Sequence, residues 1–307
     1  MIFRIGTRGS KLALKQSHWV QEKLEARHPD LRVELVRIKT TGDRVLDSPL
    51  SRIGGKGLFV KEIEDALLRG EVDAAVHSMK DVPAQLPDPL TLGVFPERES
   101  PHDAFISEKT PSLDTLPHGA RVGTSSLRRG AQLLHLRPDL VMSPMRGNVD
   151  TRLGKLASGT VEAIILAAAG LKRMGLDSRI TETLPFEQML PAIGQGALGI
   201  EVRRGDEQTI DHLAFLDHDP TRIQVTAERA LLERLEGGCQ VPIAGLARLE
   251  GDEVVLEGMV ADLDGRTVYR ERLKGTREQA AAIGKTLAET LLSRGADKIL
   301  ARIYQNS

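Results

Sequence analysis

The sequence predicts an α/β protein that closes with a smaller α+β domain. Up to about Leu216, strand-like segments alternate with helical ones across Gly- and Ser-containing turns. From Asp219 the order changes to a helix, three strand-like segments and a closing helix. A third observation gives the α/β part its function. Residues 72–76 are small and apolar, as in a strand buried on both faces. The chain then turns polar through His77, Ser78, Lys80 and Asp81, and Pro83 ends the element. In open α/β sheets the carboxyl ends of strands are where ligands bind.

The elements follow in order. Residues 3–6 read as a strand, and Ser10 is placed to cap a helix over 11–27 on which Leu12, Trp19, Val20 and Leu24 share a face. This turn gathers Arg8, the Ser10 hydroxyl and free helix N–H groups into an anion site. A strand over 32–39 leads to a long stretch, 40–57, rich in glycine and flanked by Arg52 and Lys56. Its length and charge predict a mobile cationic lid. A helix over 58–69 carries Phe59, Ile63 and Leu67 at core spacing, and 91–95 is a further strand.

Residues 103–107 read as a strand leaving the first lobe, after which a second strand–turn–helix series begins. The turn at 123–126, with Thr124 and Ser126, presents donors at a helix start. Arg128 and Arg129 in that helix oppose its dipole, which predicts an anionic ligand offsetting the cost. Asn148 is a second N-cap, bracketed by Arg146 and Arg152, and Lys172 and Arg173 follow a buried strand over 161–167. The glycine-rich run 190–201, containing Gln195, returns the chain to the first lobe, and 206–216 is a helix. A helix over 221–235 stops at Gly237 and Gly238, just before Cys239. Strands over 244–249, 253–261 and 267–273, with Asp264-Gly265 as a hairpin turn, precede a closing helix over 277–293.

Bulk properties exclude several classes of function. Of 307 residues, 28% are charged and the net charge is -1, which argues against a dedicated nucleic-acid binder. Aromatic residues make up 3%, too few for base-stacking platforms. There is no apolar run of bilayer length and no basic segment leading into an apolar one, so a cytoplasmic protein without membrane partners is expected. The single cysteine fits a reducing compartment and speaks against a cysteine metal site; no metal is expected.

Cations on several turns of a chain without net positive charge fit a small polyanion in a cleft better than an extended polymer. Arginine suits bidentate capture of carboxylates. Asp81 lies among these bases, where neighbouring cations favour its ionised form. A carboxylate there can stabilise a developing cation or move a proton. Two other readings are a two-lobed anion binder without catalysis and the ligand-sensing part of a nucleic-acid regulator. The first gives Cys239 and the last domain no purpose, and the second lacks a DNA-binding module.

Four segments then match a known family in one order: 76–83 (VHSMKDVP), 123–129 (GTSSLRR), 146–152 (RGNVDTR) and 235–242 (LEGGCQVP). They resemble the porphobilinogen deaminase (hydroxymethylbilane synthase) family, and the resemblance runs over essentially the whole chain. It implies two lobes like those of periplasmic binding proteins and a third domain bearing the cysteine. The domains would be 1–96 with 197–216, then 102–190, then 219–307. It implies a monomeric transferase that condenses four porphobilinogen molecules, with loss of ammonia, into hydroxymethylbilane, a step in tetrapyrrole and haem biosynthesis. Its primer would be a dipyrromethane on Cys239, and Asp81 would be the catalytic carboxylate. Cofactor contacts would fall to Ser78, Lys80, Asp81, Thr124, Ser126, Arg128, Arg129, Arg146 and Gly147. Substrate contacts would fall to Arg8, Ser10, Arg152, Arg173 and Gln195, and the lid to Arg52, Lys56 and Phe59. Arg52 stands where the family pattern has lysine, which keeps the charge and changes the geometry.

Overall fold

A computed structural model describes residues 2–44, 57–236 and 241–305. Arg52, Lys56 and Cys239, and most of the expected lid, lie outside them. The chain divides into two compact units, 1–99 with 196–222 and 100–195 with 223–307.

The first unit is built on a five-stranded sheet of β1 (Ile2–Thr7), β2 (Arg32–Arg37), β3 (Ala74–Ser78), β4 (Leu90–Val94) and β10 (Leu198–Arg203). The spatial order is β2-β1-β3-β10-β4. β1 runs parallel to β2 and β3, and β10 enters antiparallel between β3 and β4. Helices cover both faces. Val20 and Leu24 of the helix Lys11–Arg27 pack with Phe3, Ile5 and Val76, whereas Ile63, Ala66 and Leu67 of the helix Lys61–Leu68 pack with Val72 and Ala75. Burial on both faces is why 72–76 is almost wholly apolar.

The second unit contains β5 (Asp103–Ile106), β6 (Arg121–Gly123), β7 (Val141–Ser143), β8 (Ala163–Ala167) and β9 (Glu182–Thr183) in the order β7-β6-β8-β5-β9. β6 is parallel to β7 and β8, and β5 is antiparallel to β8 and β9. The two sheets therefore share one arrangement: parallel strands from successive strand–helix units, then one antiparallel strand supplied from elsewhere in the chain. The unit also holds an antiparallel meander of β11 (Ile243–Glu250), β12 (Glu253–Ala261) and β13 (Val268–Thr276). Leu231, Leu287, Leu291, Ile299 and Ile303 from three helices cover it.

The turn between β12 and β13 presses against the helix Leu127–Leu136. Gly265 has φ 70°, and a Cβ there would lie 2.4 Å from the Ala131 carbonyl oxygen and 2.6 Å from the His135 nitrogen. Only glycine meets both the backbone angle and the approach. His135 Nδ1 lies 2.9 Å from the Gly265 carbonyl oxygen.

Three expectations need correction. Trp19 is 38% exposed, because the buried stripe of its helix runs through Gln16, Ser17, Val20 and Leu24. The helix expected from 58 begins at Lys61, so Phe59 lies in the preceding turn, half-buried, rather than at a helical core position. The closing helix is two: Ala280–Leu291 runs into a distorted turn where Gly295 takes φ 115°, and Asp297–Gln305 continues beyond it.

Candidate functional site

In the first unit, β3 passes straight into a short 3-10 turn, Met79–Asp81. Its end opens on a small cleft of about 50 Å³, lined by Arg8, Ser10, Gln16, Phe59, Ser78 and Asp81 among others. The Ser10 hydroxyl accepts from the Ala13 N–H at 3.2 Å, as an N-cap should. Gln16 Nε2 donates to Ser78 Oγ at 2.9 Å. Asp81 is half-buried at the rim, and Lys80 beside it is also half-buried.

Arg8 is paired. Its Nη2 lies 2.6 Å from Asp43 Oδ1, and its guanidinium carbon is 4.1 Å from the centroid of Phe59. Burial pushes the Asp43 carboxyl up, but the Arg8 guanidinium and the Thr40 hydroxyl more than offset this and hold it below the ordinary value.

Behind β3 sit three buried titratable groups. His77 Nε2 is 2.9 Å from Glu201 Oε2 across the β3–β10 pair, and Glu64 faces them from the helix Lys61–Leu68. Glu64 Oε1 and Glu201 Oε1 are buried without a partner. Burial, then the Glu201 and Asp65 carboxylates, push Glu64 up to about 7 against the opposing pull of His77. His77 is thus paired with Glu201.

In the second unit, Ser126 caps the helix Leu127–Leu136, accepting from the Arg129 N–H. The Thr124 hydroxyl accepts from the Ser126 N–H at 3.1 Å. Asn148 caps the helix Val149–Ala157, and Gly147, at φ 106°, precedes it. The Gly147 carbonyl accepts from Arg152 Nε at 3.0 Å.

The sequence alone placed Arg128 and Arg129 as cations awaiting an anionic ligand, and the structure shows that a protein carboxylate already stands beside them. Both are buried, at 5% and 6% exposure, and their anion is Asp103 at the start of β5, which is 0% exposed. Arg128 Nη1 lies 2.7 Å from Asp103 Oδ2, and Arg129 Nη2 and Nε lie 2.6 and 2.9 Å from Oδ1. Burial would raise the Asp103 carboxyl, but the two guanidiniums bring it down to about 2. Gln195, expected against substrate, is fully buried and braces this cluster. Its Nε2 donates to the Pro101 carbonyl and Asp103 Oδ1, and its Oε1 accepts from Arg128 Nη2. Asp103 was missed because a lone aspartate opening a strand has no local signature. Two adjacent arginines at a helix start announce that an anion is needed, without saying whether protein or ligand supplies it.

Further cations gather beside this pair. Arg128 Nε and Arg146 Nη2 are buried without a hydrogen-bond partner. Burial, together with the Arg129 and Arg146 charges, pushes Arg152 down to about 10. Burial is the larger of these causes and the neighbouring guanidiniums add to it. Arg173 ends the helix Ala168–Arg173 after β8. Among the described residues no cluster of His, Cys, Asp and Glu is arranged to hold a metal, and no helix is long and apolar enough to cross a membrane.

The second unit thus gathers arginines at strand-end turns, as an α/β protein that binds an anion would, and the first unit ends a buried strand on a carboxylate. The comparisons name the kind. The family profile "Porphobilinogen deaminase, dipyromethane cofactor binding domain" matches residues 3–211, and "Porphobilinogen deaminase, C-terminal domain" matches 222–293. The porphobilinogen deaminase of Trichlorobacter lovleyi is 55% identical over 302 residues, spanning 98% of this chain and 96% of that one. That of Nitratidesulfovibrio vulgaris is 56% identical over 305 residues, again spanning 98% and 96%. Among solved structures, the methionine-binding protein MetQ aligns with 70% of this chain and 89% of its own, at 15% identity and TM-score 0.45. The chain belongs to the porphobilinogen deaminase family.

Proposed function

We propose that the chain condenses four porphobilinogen molecules, with release of ammonia, into linear hydroxymethylbilane, primed on a dipyrromethane joined to Cys239 by a thioether. The observation that carries the residue assignment is the crowding of Arg146 and Arg152 beside the Asp103-paired Arg128 and Arg129, with Arg128 Nε and Arg146 Nη2 buried and unpartnered. A dipyrromethane with its acetates and propionates supplies carboxylates of the right charge, and when bound it supplies the free pyrrole end to which substrate is added. Arg146, Arg152, Thr124 and Ser126 would hold it, with Asp103 fixing Arg128 and Arg129 behind them. The Gly147 turn lets Arg152 fold back on its own backbone, which aims the guanidinium.

Asp81 is the acid–base and electrostatic residue of this reading. Loss of ammonia from porphobilinogen leaves an electron-poor methylene-pyrrolenine, and carbon–carbon bond formation places positive charge on a pyrrole. A fixed carboxylate beside that ring stabilises the charge, and it can accept the proton released as the ring regains aromaticity. Gln16 fixes the Ser78 hydroxyl at the same strand end. The proposal extends to the three-domain division, 1–96 with 197–216, 102–190 and 219–307, to Lys80 and Arg173 as carboxylate partners, and to a monomer working in the cytoplasm.

Intact mass decides the attachment. Protein made in cells that produce porphobilinogen should exceed its sequence mass by two substrate-derived pyrrole units. Cys239→Ser should lose the increment and the activity, since a hydroxyl is a far poorer nucleophile than a thiolate at neutral pH. An unmodified and fully active parent would refute the mechanism.

A further inference from the structure

Arg8 reaches the cleft already gripped on two sides. Asp43 takes the side edge of its fork, with Oδ1 2.6 Å from Nη2 and Oδ2 3.3 Å from Nε. The Phe59 ring lies under the guanidinium plane. Among the described residues nothing bonds Nη1, so the end edge of the fork remains for another carboxylate.

The grip is built into the fold. Asp43 lies in a single helical turn, Thr41–Arg44, tied to the start of the helix Lys61–Leu68. The Thr41 N–H and hydroxyl both donate to Glu62 Oε1, at 2.8 and 2.5 Å. The Gly42 N–H donates to the Leu58 carbonyl at 2.8 Å, and Thr40 Oγ1 donates to Asp43 Oδ2 at 2.8 Å. A Cβ on Gly42 would come within 2.2 Å of the Phe59 ring, so glycine there lets the ring lie flat against the turn. A long cationic side chain has much rotamer freedom to lose on binding. Holding it in one geometry before substrate arrives removes that cost from binding.

We propose that Asp43, with Phe59, is a positioning residue that presents the end edge of Arg8 to a carboxylate of incoming porphobilinogen. The inference rests on the reading of Arg8 as a substrate residue, and the test separates the two.

Kinetics of Arg8→Leu, Asp43→Ala and the double variant form one arm. Asp43→Ala should raise KM roughly tenfold with kcat little changed, as expected for lost preorganisation. In the Arg8→Leu background the same change should add nothing, because contacting residues that act as one are non-additive. The second arm needs no turnover. Hydrogen exchange at Arg8 Nε, followed by NMR on arginine-labelled protein, should quicken in Asp43→Asn, which keeps the side chain's shape. Unchanged exchange in Asp43→Asn, an unchanged KM in Asp43→Ala, or a double variant that loses the product of both single effects overturns the proposal. A parent-like Arg8→Leu instead overturns the assignment of Arg8 to substrate, and with it the role given to Asp43.

Discussion

Asp103→Asn should unfold the second unit more readily than any loss of a surface charge could. The side chain is fully buried and takes bonds from Arg128, Arg129 and Gln195. Its carboxyl is held at about 2 against an ordinary 3.8. That depression corresponds to about 2.5 kcal/mol at neutral pH. Asparagine removes it and leaves two buried guanidiniums facing a neutral amide, so a loss of about 3–5 kcal/mol is expected, the range for breaking a buried ion pair from one side. Because the folded value is depressed, this stability is complete above pH ~4 and drains away as pH falls toward 2. Arg128→Leu should cost roughly 3 kcal/mol, since Asp103 keeps Arg129. Arg146→Leu is the contrast: Arg146 crowds other cations and leaves Nη2 unpaired, so its loss should cost little stability while weakening cofactor assembly. Hydrogen exchange of peptides from β5, β6 and β8, as denaturant is raised at pH 7, reads the unit by itself. Asp103→Asn with parent-like protection, or Arg146→Leu as unstable as Arg128→Leu, would refute the assignment of Asp103 as the structural counter-charge.

Three further outcomes are expected. Glu64→Gln should flatten the pH dependence of the first unit: the carboxyl sits at about 7 when folded and 4.5 otherwise, so the parent loses stability as pH climbs from 4.5 through 7. After allowance for screening this is about 1–2 kcal/mol at pH 8, read as slower exchange of β3 and β10 amides in the variant, and equal pH slopes would count against it. Asp81→Asn should leave the covalent cofactor in place, checked by intact mass, and lower kcat about 100-fold, the scale of one charge-specific transition-state contact of ~3 kcal/mol. Gly265→Val should loosen the β12–β13 turn from the helix Leu127–Leu136, because its side chain meets Ala131 and His135 backbone; normal protection of that helix would contradict the contact.

What was legible in the sequence followed from local rules. Ser10 and Asn148 announce their caps by residue type, and both accept the expected N–H. The buried β3 strand and its polar end are visible in composition, and the motif segments led to the family. The partners of the charged groups were hidden, because they come from distant residues: Asp103 lies 25 and 26 residues from its arginines, and Asp43 lies 35 from Arg8. Local pattern therefore found the cations and could not tell those spent on the fold from those left for a ligand. The last helix was missed for a related reason. Gly295 reads as a stop signal, yet here it only bends the chain, and the apolar stripe Ile299, Leu300 and Ile303 resumes beyond it.

The placing of β10 sets a timetable for synthesis. β10 separates β3 from β4 in the finished sheet, but it is translated about a hundred residues after β4. At roughly 5–20 residues per second, β3 and β4 wait about 5–20 s on the ribosome with edges that have no strand to pair with. All five strands of the second sheet, β5 through β9, emerge within that interval. Of these two five-stranded sheets, the one begun first is thus the one completed later. Its apolar β3 edge is the stretch of nascent chain most in need of a chaperone, and a slow codon or pause between residues 94 and 198 lengthens the exposure.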